Sequence, residues 1–361
     1  MIPFFGLGRE YEKNKNSYTK IIQKVLSHGK VLQGEEVQFF ENEVAERSQR
    51  KYAIAVNSCT DSLFFSLKAS GVKRGDEVLV TDFSFIASAS CIKRLSAVPV
   101  FVDIKSDYHM DLSKAQKLIS EKTKAIICVH LFGDMICPDE IEKFAYDNKL
   151  ILIEDAAQSF GASYGDRKAG SIGLMSCFSF DPTKTIGSPG SGGMILTDDF
   201  ETYQTVKQLR YHGRDHNNIF SIIGYNSQMS SLVAAILTCK LQYSEEWFFK
   251  RTKIANFYLE NIDRNKYGLP KLKKLITHSF HKFVIQSEKR DFVIKRLEAN
   301  DIQSLIHYPT PLHSHKCFQP RASFYQNDTV DCLTKKVFSL PIHPYLTDLE
   351  IEKIVRVLNQ F

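Results

Sequence analysis

Two segments of this chain place reactive side chains where an open α/β sheet presents them to a ligand. The first is Ile153-Glu154-Asp155-Ala156-Ala157-Gln158-Ser159-Phe160-Gly161, an acidic residue closing an apolar run with small residues behind it. Ligands of an open parallel sheet sit beyond the carboxyl ends of its strands, so Asp155 is placed to face one. An Asp after a strand also caps the helix or turn that follows, and this segment alone leaves both uses open. In the second segment, residues 177–193, Lys184 stands between the aromatic run Phe178-Ser179-Phe180 and the glycines Gly187, Gly190, Gly192 and Gly193. A lysine amine in a dry site has a lowered pKa and can form a Schiff base with a carbonyl. The glycines let the backbone approach a flat ligand closely. A lone lysine in a loop is ordinarily a surface residue; its pairing with the Asp155 segment upstream favours chemistry.

The surrounding elements suit that task. Residues 53–56, 77–80, 99–102, 125–130 and 150–154 read as strands, and residues 62–69, 86–95, 112–119 and 138–148 as the helices between them. Strands alternating with helices imply an α/β domain with a mainly parallel sheet, to which 176–180 and 193–196 add two strands. Beyond Asp198 the pattern changes. Residues 200–211 and 229–261 read as helices, the second a long one. Strands at 282–286 and 303–306 around a helix at 290–300, with a last helix at 348–359, form a small α+β unit. Residues 1–50 hold two amphipathic helices around a loop at 29–34, expected to pack on the small domain or on a partner subunit. The expected division is an N-terminal arm and large domain over 1–248 and a small C-terminal domain over 249–361.

With 361 residues, 43% of them hydrophobic, the chain is long enough for a large and a small domain. A net charge of +6 favours an anionic substrate but is too small to argue for nucleic acid. The basic residues Lys271, Lys273 and Lys274 read as a solvated surface. None of the eight cysteines forms a C-x-x-C pair, so no metal site is expected, and buried reduced thiols in a reducing compartment are the simplest account. The first residues lack a basic segment followed by a signal-length apolar core, and no apolar run approaches the roughly 20 residues that span a bilayer. A soluble cytoplasmic protein without nucleic-acid or membrane partners is expected.

Taken together, the motifs resemble the DegT/DnrJ/StrS-type sugar aminotransferases, a branch of the fold-type I pyridoxal phosphate enzymes. That family carries E-D-A-A-Q-x-x-G-A, a strand F-S-F, x-P-T-K-x-x-G and then G-G, which residues 154–162, 178–180, 182–184 and 192–193 reproduce. Further matches follow in order. Ser58-Cys59-Thr60-Asp61-Ser62-Leu63 is similar to S-G/C-T-x-A-L. Gly75-Asp76-Glu77-Val78 with Phe83-Ser84-Phe85-Ile86-Ala87 is similar to G-D-E-V and F-T-F-x-A. Pro99-Val100-Phe101-Val102-Asp103 matches P-V-F-V-D, and Arg210-Tyr211-His212-Gly213 and Gly224-Tyr225-Asn226 resemble R-x-H-G and G-Y-N. His307-Tyr308-Pro309 with Pro311-Leu312-His313 resembles H-Y-P-x-P-x-H. The resemblance spans nearly the whole chain and implies the fold-type I architecture, a large domain with a mainly parallel mixed sheet flanked by helices and a smaller α+β domain.

It also implies roles. Lys184 would hold pyridoxal 5′-phosphate as a Schiff base and then move the proton between substrate and cofactor, which passes through pyridoxamine 5′-phosphate during turnover. Asp155 would pair with the pyridine nitrogen and keep it protonated, making the ring a better electron sink. Gln158 would bond the ring hydroxyl and Phe85 would stack on the ring. Thr60, the Asp61 amide and Ser179 would hold the phosphate at a helix N-terminus. Asn226 would reach the phosphate of the neighbouring subunit's cofactor, in a homodimer with shared active sites. His307, Tyr308, His313 and Asp181 would meet the substrate. Each has a plainer use: Phe85 as core, Ser179 as a satisfied strand hydroxyl, Asn226 as a cap, His307 and His313 as histidines without a ligand.

The chain departs from the common pattern at Asp181, where many relatives have Tyr, at Ser191, where they have Asp or Asn, and at Gln228, where they have Arg. These differences bear on the sugar rather than the chemistry. Lys184 disfavours the family's dehydratase variants, which carry His there. The expected reaction moves an amino group from L-glutamate to a nucleotide-linked keto-6-deoxyhexose, dTDP-linked and aminated at C3 or C4, for O-antigen or other glycan synthesis. The alternatives are a non-nucleotide keto-sugar or keto-polyol phosphate as acceptor, and a non-catalytic scaffold or sensor on the same fold.

Overall fold

The structure, a computed structural model, describes residues 1–319, 323–324 and 327–361. Helices α1 (Leu7–His28) and α2 (Glu35–Arg47) precede β1 (Tyr52–Val56). An alternating run follows: α3 (Cys59–Ala69), β2 (Glu77–Thr81), α4 (Ala87–Arg94), β3 (Val98–Val102), α5 (Leu112–Gln116), β4 (Thr123–Val129), α6 (Pro138–Asp147) and β5 (Ile151–Asp155). A short hairpin, β6 (Ser163–Tyr164) and β7 (Arg167–Lys168), leads to β8 (Met175–Ser179), β9 (Gly193–Thr197), α7 (Phe200–Arg210), α8 (Ser231–Leu241) and α9 (Ser244–Asn261). The remainder comprises β10 (Ile276–Thr277), β11 (Phe283–Gln286), α10 (Arg290–Glu298), β12 (Ser323–Phe324), α11 (Asp328–Leu333), β13 (Val337–Leu340) and α12 (Asp348–Asn359).

The main sheet has the order β1-β9-β8-β5-β4-β2-β3-β12. Only β9 runs against its neighbours, β1 and β8; the other pairs are parallel. Side-chain alternation along each strand explains why helices cover both faces. In β4, Ala125, Ile127 and Val129 join the cluster built with α3, α4 and α7, whereas Ile126 and Cys128 join the one built with α2, α6 and α8. Each Ile or Val among them, withdrawn from water, stabilises the fold by about 1.5–3 kcal/mol before entropy is counted.

A third cluster gathers Tyr258 of α9, Phe283 and Ile285 of β11, Leu297 of α10, Phe338 and Leu340 of β13 and Ile354 of α12, with Ile2 packed in from the amino end. Part of the segment between α10 and β13 leaves this cluster. Leu312, Phe318, Val330 and Leu333 pack on the main sheet's α3/α4 face, and β12 extends the sheet beside β3. Residues 1–50 are shared in the same way. Ile2 bridges to Ile302, and Arg9 makes paired hydrogen bonds of 2.7 and 2.6 Å to Glu350, while α2 packs on α8 and β1. Glu350 also closes the capping box of α12 with Thr347; the Arg9 bonds above all push its carboxyl down to about 2.

Two expected elements differ. The helix expected over 229–261 breaks at Gln242–Tyr243 into α8 and α9. Ser244 Oγ donates to the Leu241 carbonyl at 2.7 Å, and such side-chain bonds compete with the helical ladder. The strand expected at 303–306 is a single bridge, Leu305 to Ser339, beside the β11–β13 ladder.

Candidate active site

The carboxyl ends of β5 and β8, the amino end of α3 and the loop 181–191 enclose a cavity of about 380 Å³. It is lined by Thr60, Phe85, Asp155, Gln158, Ser179, Asp181, Lys184, His307 and Tyr308, so nine residues singled out from the sequence meet at one place. Asp61, Asn226 and His313 do not line it.

Asp155 closes β5 and is buried. Its Oδ2 accepts a 2.7 Å bond from Ser88 Oγ, which also exchanges a bond with Ser84 Oγ, and its Oδ1 accepts from the Ala157 amide at 3.2 Å. Burial raises its pKa, and the Ser88 hydroxyl is the strongest influence in the other direction. Glu154, one residue back, points to the opposite side, as a strand requires. It accepts from the Gly170 and Ile172 amides and from Ser176 Oγ at 2.8, 2.9 and 2.7 Å. Burial alone would raise its carboxyl, but His130 and these donors outweigh it and hold the value below the usual one. Glu154 pins the strand end, which fixes where Asp155 points.

Gln158 is held from three directions. Its Oε1 accepts from the Phe132 amide at 3.1 Å and lies 3.3 Å from His281 Nδ1, and its Nε2 donates to the Tyr308 hydroxyl at 2.9 Å. With Oε1 as acceptor, Nδ1 carries the proton of a neutral His281 ring. Burial drives the His281 pKa well down, and its Nε2 is buried without a hydrogen-bond partner among the described residues. Burial also pushes His307 down to about 3; its Nδ1 is 2.9 Å from Ser339 Oγ.

Lys184 sits half-buried in the loop after β8, where its amide donates to the Asp181 carbonyl at 2.9 Å. Burial lowers its pKa, with Asp155 and Asp181 pulling the other way. The loop is anchored by Lys240, whose ammonium bonds the Gly187 carbonyl and pairs with Glu10. The Asp181 carboxylate turns back on its own loop, accepting from the Thr183 amide and hydroxyl at 3.0 and 2.6 Å.

Ser58 caps α3, accepting from the Asp61 amide at 3.1 Å. The Asp61 carboxylate faces away, to Arg94 and Ser227 Oγ, both at 2.8 Å. A Cβ on Gly193 would lie 2.3 Å from the Ser58 carbonyl carbon, so only glycine lets β9 pass under this helix end. Phe85 lines the cavity and keeps 55% of its surface exposed. Outside the cavity, His313 Nδ1 is 2.5 Å from the buried Asp82 Oδ2, and its amide donates to Oδ1 at 2.8 Å, so it clasps the turn at Leu312 to the end of β2. Asn226 is exposed and bridges Tyr211.

Sequence reasoning missed Ser88, His281 and Lys282, all of which line the cavity. The partner of Ser88 is 67 residues away, and nothing local to residues 279–283 marks them apart from an apolar strand pattern. The amino end of the eleven-residue α3, the Asp155 carboxylate, the Lys184 amine and the exposed Phe85 ring, gathered at one cavity, suit a flat, phosphorylated, carbonyl-bearing cofactor. The unpartnered His281 Nε2 and the close approach at Gly193 are consistent with that fit.

Fold and cleft are those of an aminotransferase. Residues 12–359 match the DegT/DnrJ/EryC1/StrS aminotransferase family, and the chain belongs to it. It is 35% identical to a dTDP-3-amino-3,6-dideoxy-alpha-D-galactopyranose transaminase of Aneurinibacillus thermoaerophilus, covering 100% of this chain and 99% of that one. It is 34% identical to the UDP-2-acetamido-2-deoxy-3-oxo-D-glucuronate aminotransferase of Pseudomonas aeruginosa, covering 99% and 100%. The crystal structure of S. venezuelae DesV with a ketimine intermediate superposes with a TM-score of 0.96 at 31% identity, covering 99% of this chain and 98% of that one.

Proposed function

We propose that the chain is a pyridoxal 5′-phosphate-dependent transaminase that moves an amino group from L-glutamate to the ketone of a nucleotide-linked keto-6-deoxyhexose, dTDP-linked and at C3 or C4. The reading rests on one observation: Lys184 and Asp155 line the same cavity as Gln158, Thr60 and Ser179. The relatives' names, one for a dTDP-linked and one for a UDP-linked sugar, support a nucleotide-sugar acceptor. A non-catalytic role gains nothing from a lysine amine with a lowered pKa in a lined cleft.

When bound, the cofactor supplies the electron sink and carries the amino group between the two substrates. The chain's residues do the rest. Asp155, its charge steadied by Ser88, holds a proton on the pyridine nitrogen. Gln158 orients the ring through its hydroxyl, and Phe85 covers one face. The α3 amino end with Thr60, the Asp61 amide and Ser179 holds the phosphate. Lys184 Nζ accepts and returns the proton at the substrate carbon. Tyr308, His307 and Asp181 border the space left for the sugar.

A homodimer with shared sites belongs to the same reading. Asn226 is exposed and turned away from its own cavity, and Ile219, Phe220 and Ile223 nearby are 60%, 68% and 83% exposed. An apolar stretch of this kind marks an interface. A cytoplasmic setting suits eight free cysteines, and no helix among the described residues is long and apolar enough to cross a membrane. O-antigen or other surface-glycan synthesis would consume the amino sugar.

The test is a visible absorbance that shifts on adding L-glutamate, followed by mass spectrometry of a panel of dTDP- and UDP-linked keto-sugars, with unlinked keto-sugars and keto-polyol phosphates as controls. Amination of an acceptor lacking the nucleotide, and of none bearing it, would overturn the substrate assignment.

A further inference from the structure

Three lysine and arginine residues are buried among the described residues: Lys240, Arg251 and Lys282. Two are anchored. Lys240 holds Glu10 and the Gly187 carbonyl, and Arg251 donates to the carbonyls of Phe280 and Ile342. Lys282 is not. It lies just before β11 in the wall of the Lys184 cleft and is 5% exposed. Among the described residues its ammonium has no hydrogen bond or ion pair, and it meets only the rings of Phe4 and Phe5, 5.0 and 4.3 Å from their centroids. Phe5 lines the same cleft. Aromatic faces attract a cation but do not neutralise it. A buried ammonium without an anion is costly, so the arrangement asks for one from outside.

We infer that Lys282 is the carboxylate-binding residue of this cleft and takes an acidic group of the substrate. The inference rests on the proposed transamination. The carboxylate comes from the amino donor or from an acidic substituent on the acceptor sugar, and the second source would put a uronic acid in place of the 6-deoxyhexose proposed above. Either would supply the missing counter-ion in a site of low dielectric, where a charge-assisted bond is strong. Burial, Lys184 and Arg251 lower the Lys282 pKa well below the usual value and Asp181 opposes them only weakly, so an incoming carboxylate is what favours the charged form. His281 and His307 beside it are driven low and contribute no competing charge.

Calorimetric titration of the holoprotein and of Lys282→Met with glutarate, UDP-glucuronate and UDP-glucose separates the cases. Weakening of roughly tenfold or more for glutarate alone assigns Lys282 to the donor, for UDP-glucuronate alone to the acceptor, and for both to each carboxylate in turn. Lys282→Arg should restore most of the affinity. Unchanged binding of both acids, or an equal loss for neutral UDP-glucose, would overturn the inference. The cofactor's visible absorbance, read in the same samples, reports separately on the proposed function.

Discussion

Ser88 Oγ donates a 2.7 Å hydrogen bond to Asp155 Oδ2 across 67 residues of sequence, from the first turn of α4 to the end of β5. It is the strongest single influence holding down the pKa of a carboxyl that burial raises. Ser88→Ala should therefore move the acidic limb of the kcat/KM profile to higher pH and lower kcat on the order of tenfold at neutral pH, without removing the cofactor. Steady-state rates from pH 5.5 to 9 check this. An unmoved limb would mean that Asp155 does not depend on Ser88.

Asp155 also links function to stability. Its pKa in the cofactor-free fold lies above the unfolded value, so its contribution to stability is complete below the ordinary carboxylate pKa and is lost as pH rises through the raised one. Asp155→Asn, which cannot ionise, should unfold at a higher temperature than the parent above that range and show no such gain below it, while transamination is lost. Melting curves of cofactor-free protein at pH 4 and pH 8 test the sign.

His313 works in the other direction. The Asp82 bond raises its pKa, so its stabilising effect is full below the ordinary histidine value and fades as pH rises through the raised one. The gap in Tm between wild type and His313→Asn should be widest near pH 5.5 and should narrow toward alkaline pH. A gap independent of pH would show that the pair does not titrate with folding.

Gly193→Ala places a methyl 2.3 Å from the Ser58 backbone carbon. Backbone cannot yield as a side-chain tip does, so β9 and the α3 amino end must separate, at about 1–3 kcal/mol. The variant should unfold earlier in urea and release cofactor on dialysis. Gly190→Ala, with open space around its Cβ, serves as the control and should do neither.

The alternation of strands and helices was legible because the central strands of the main sheet are apolar on both faces, and strand windows such as 53–56 and 193–196 fall inside β1 and β9. Asp155 was legible because it closes an apolar strand ahead of small residues, and Lys184 because it stands between an aromatic strand and a run of glycines. What the linear chain could not reveal was set by distant partners. Ser88 reads as an unremarkable helix residue until Asp155 is beside it, and Lys282 as the start of a strand until the Phe4 and Phe5 rings close over it. The break between α8 and α9 escaped because Leu241–Trp247 keeps its apolar spacing through the turn. His313, singled out for the substrate, clasps Asp82 and lines no part of the cavity, a choice made by β2 rather than by its own neighbours.

The most direct test of the central claim is borohydride reduction of the holoprotein followed by peptide mapping. Lys184 should carry the reduced pyridoxyl mass in near-stoichiometric amount, and Lys184→Ala should carry none and lose transamination by roughly 10²–10⁴-fold or more. Label on Lys282 in place of Lys184, or an alanine variant that transaminates as the parent does, would contradict it.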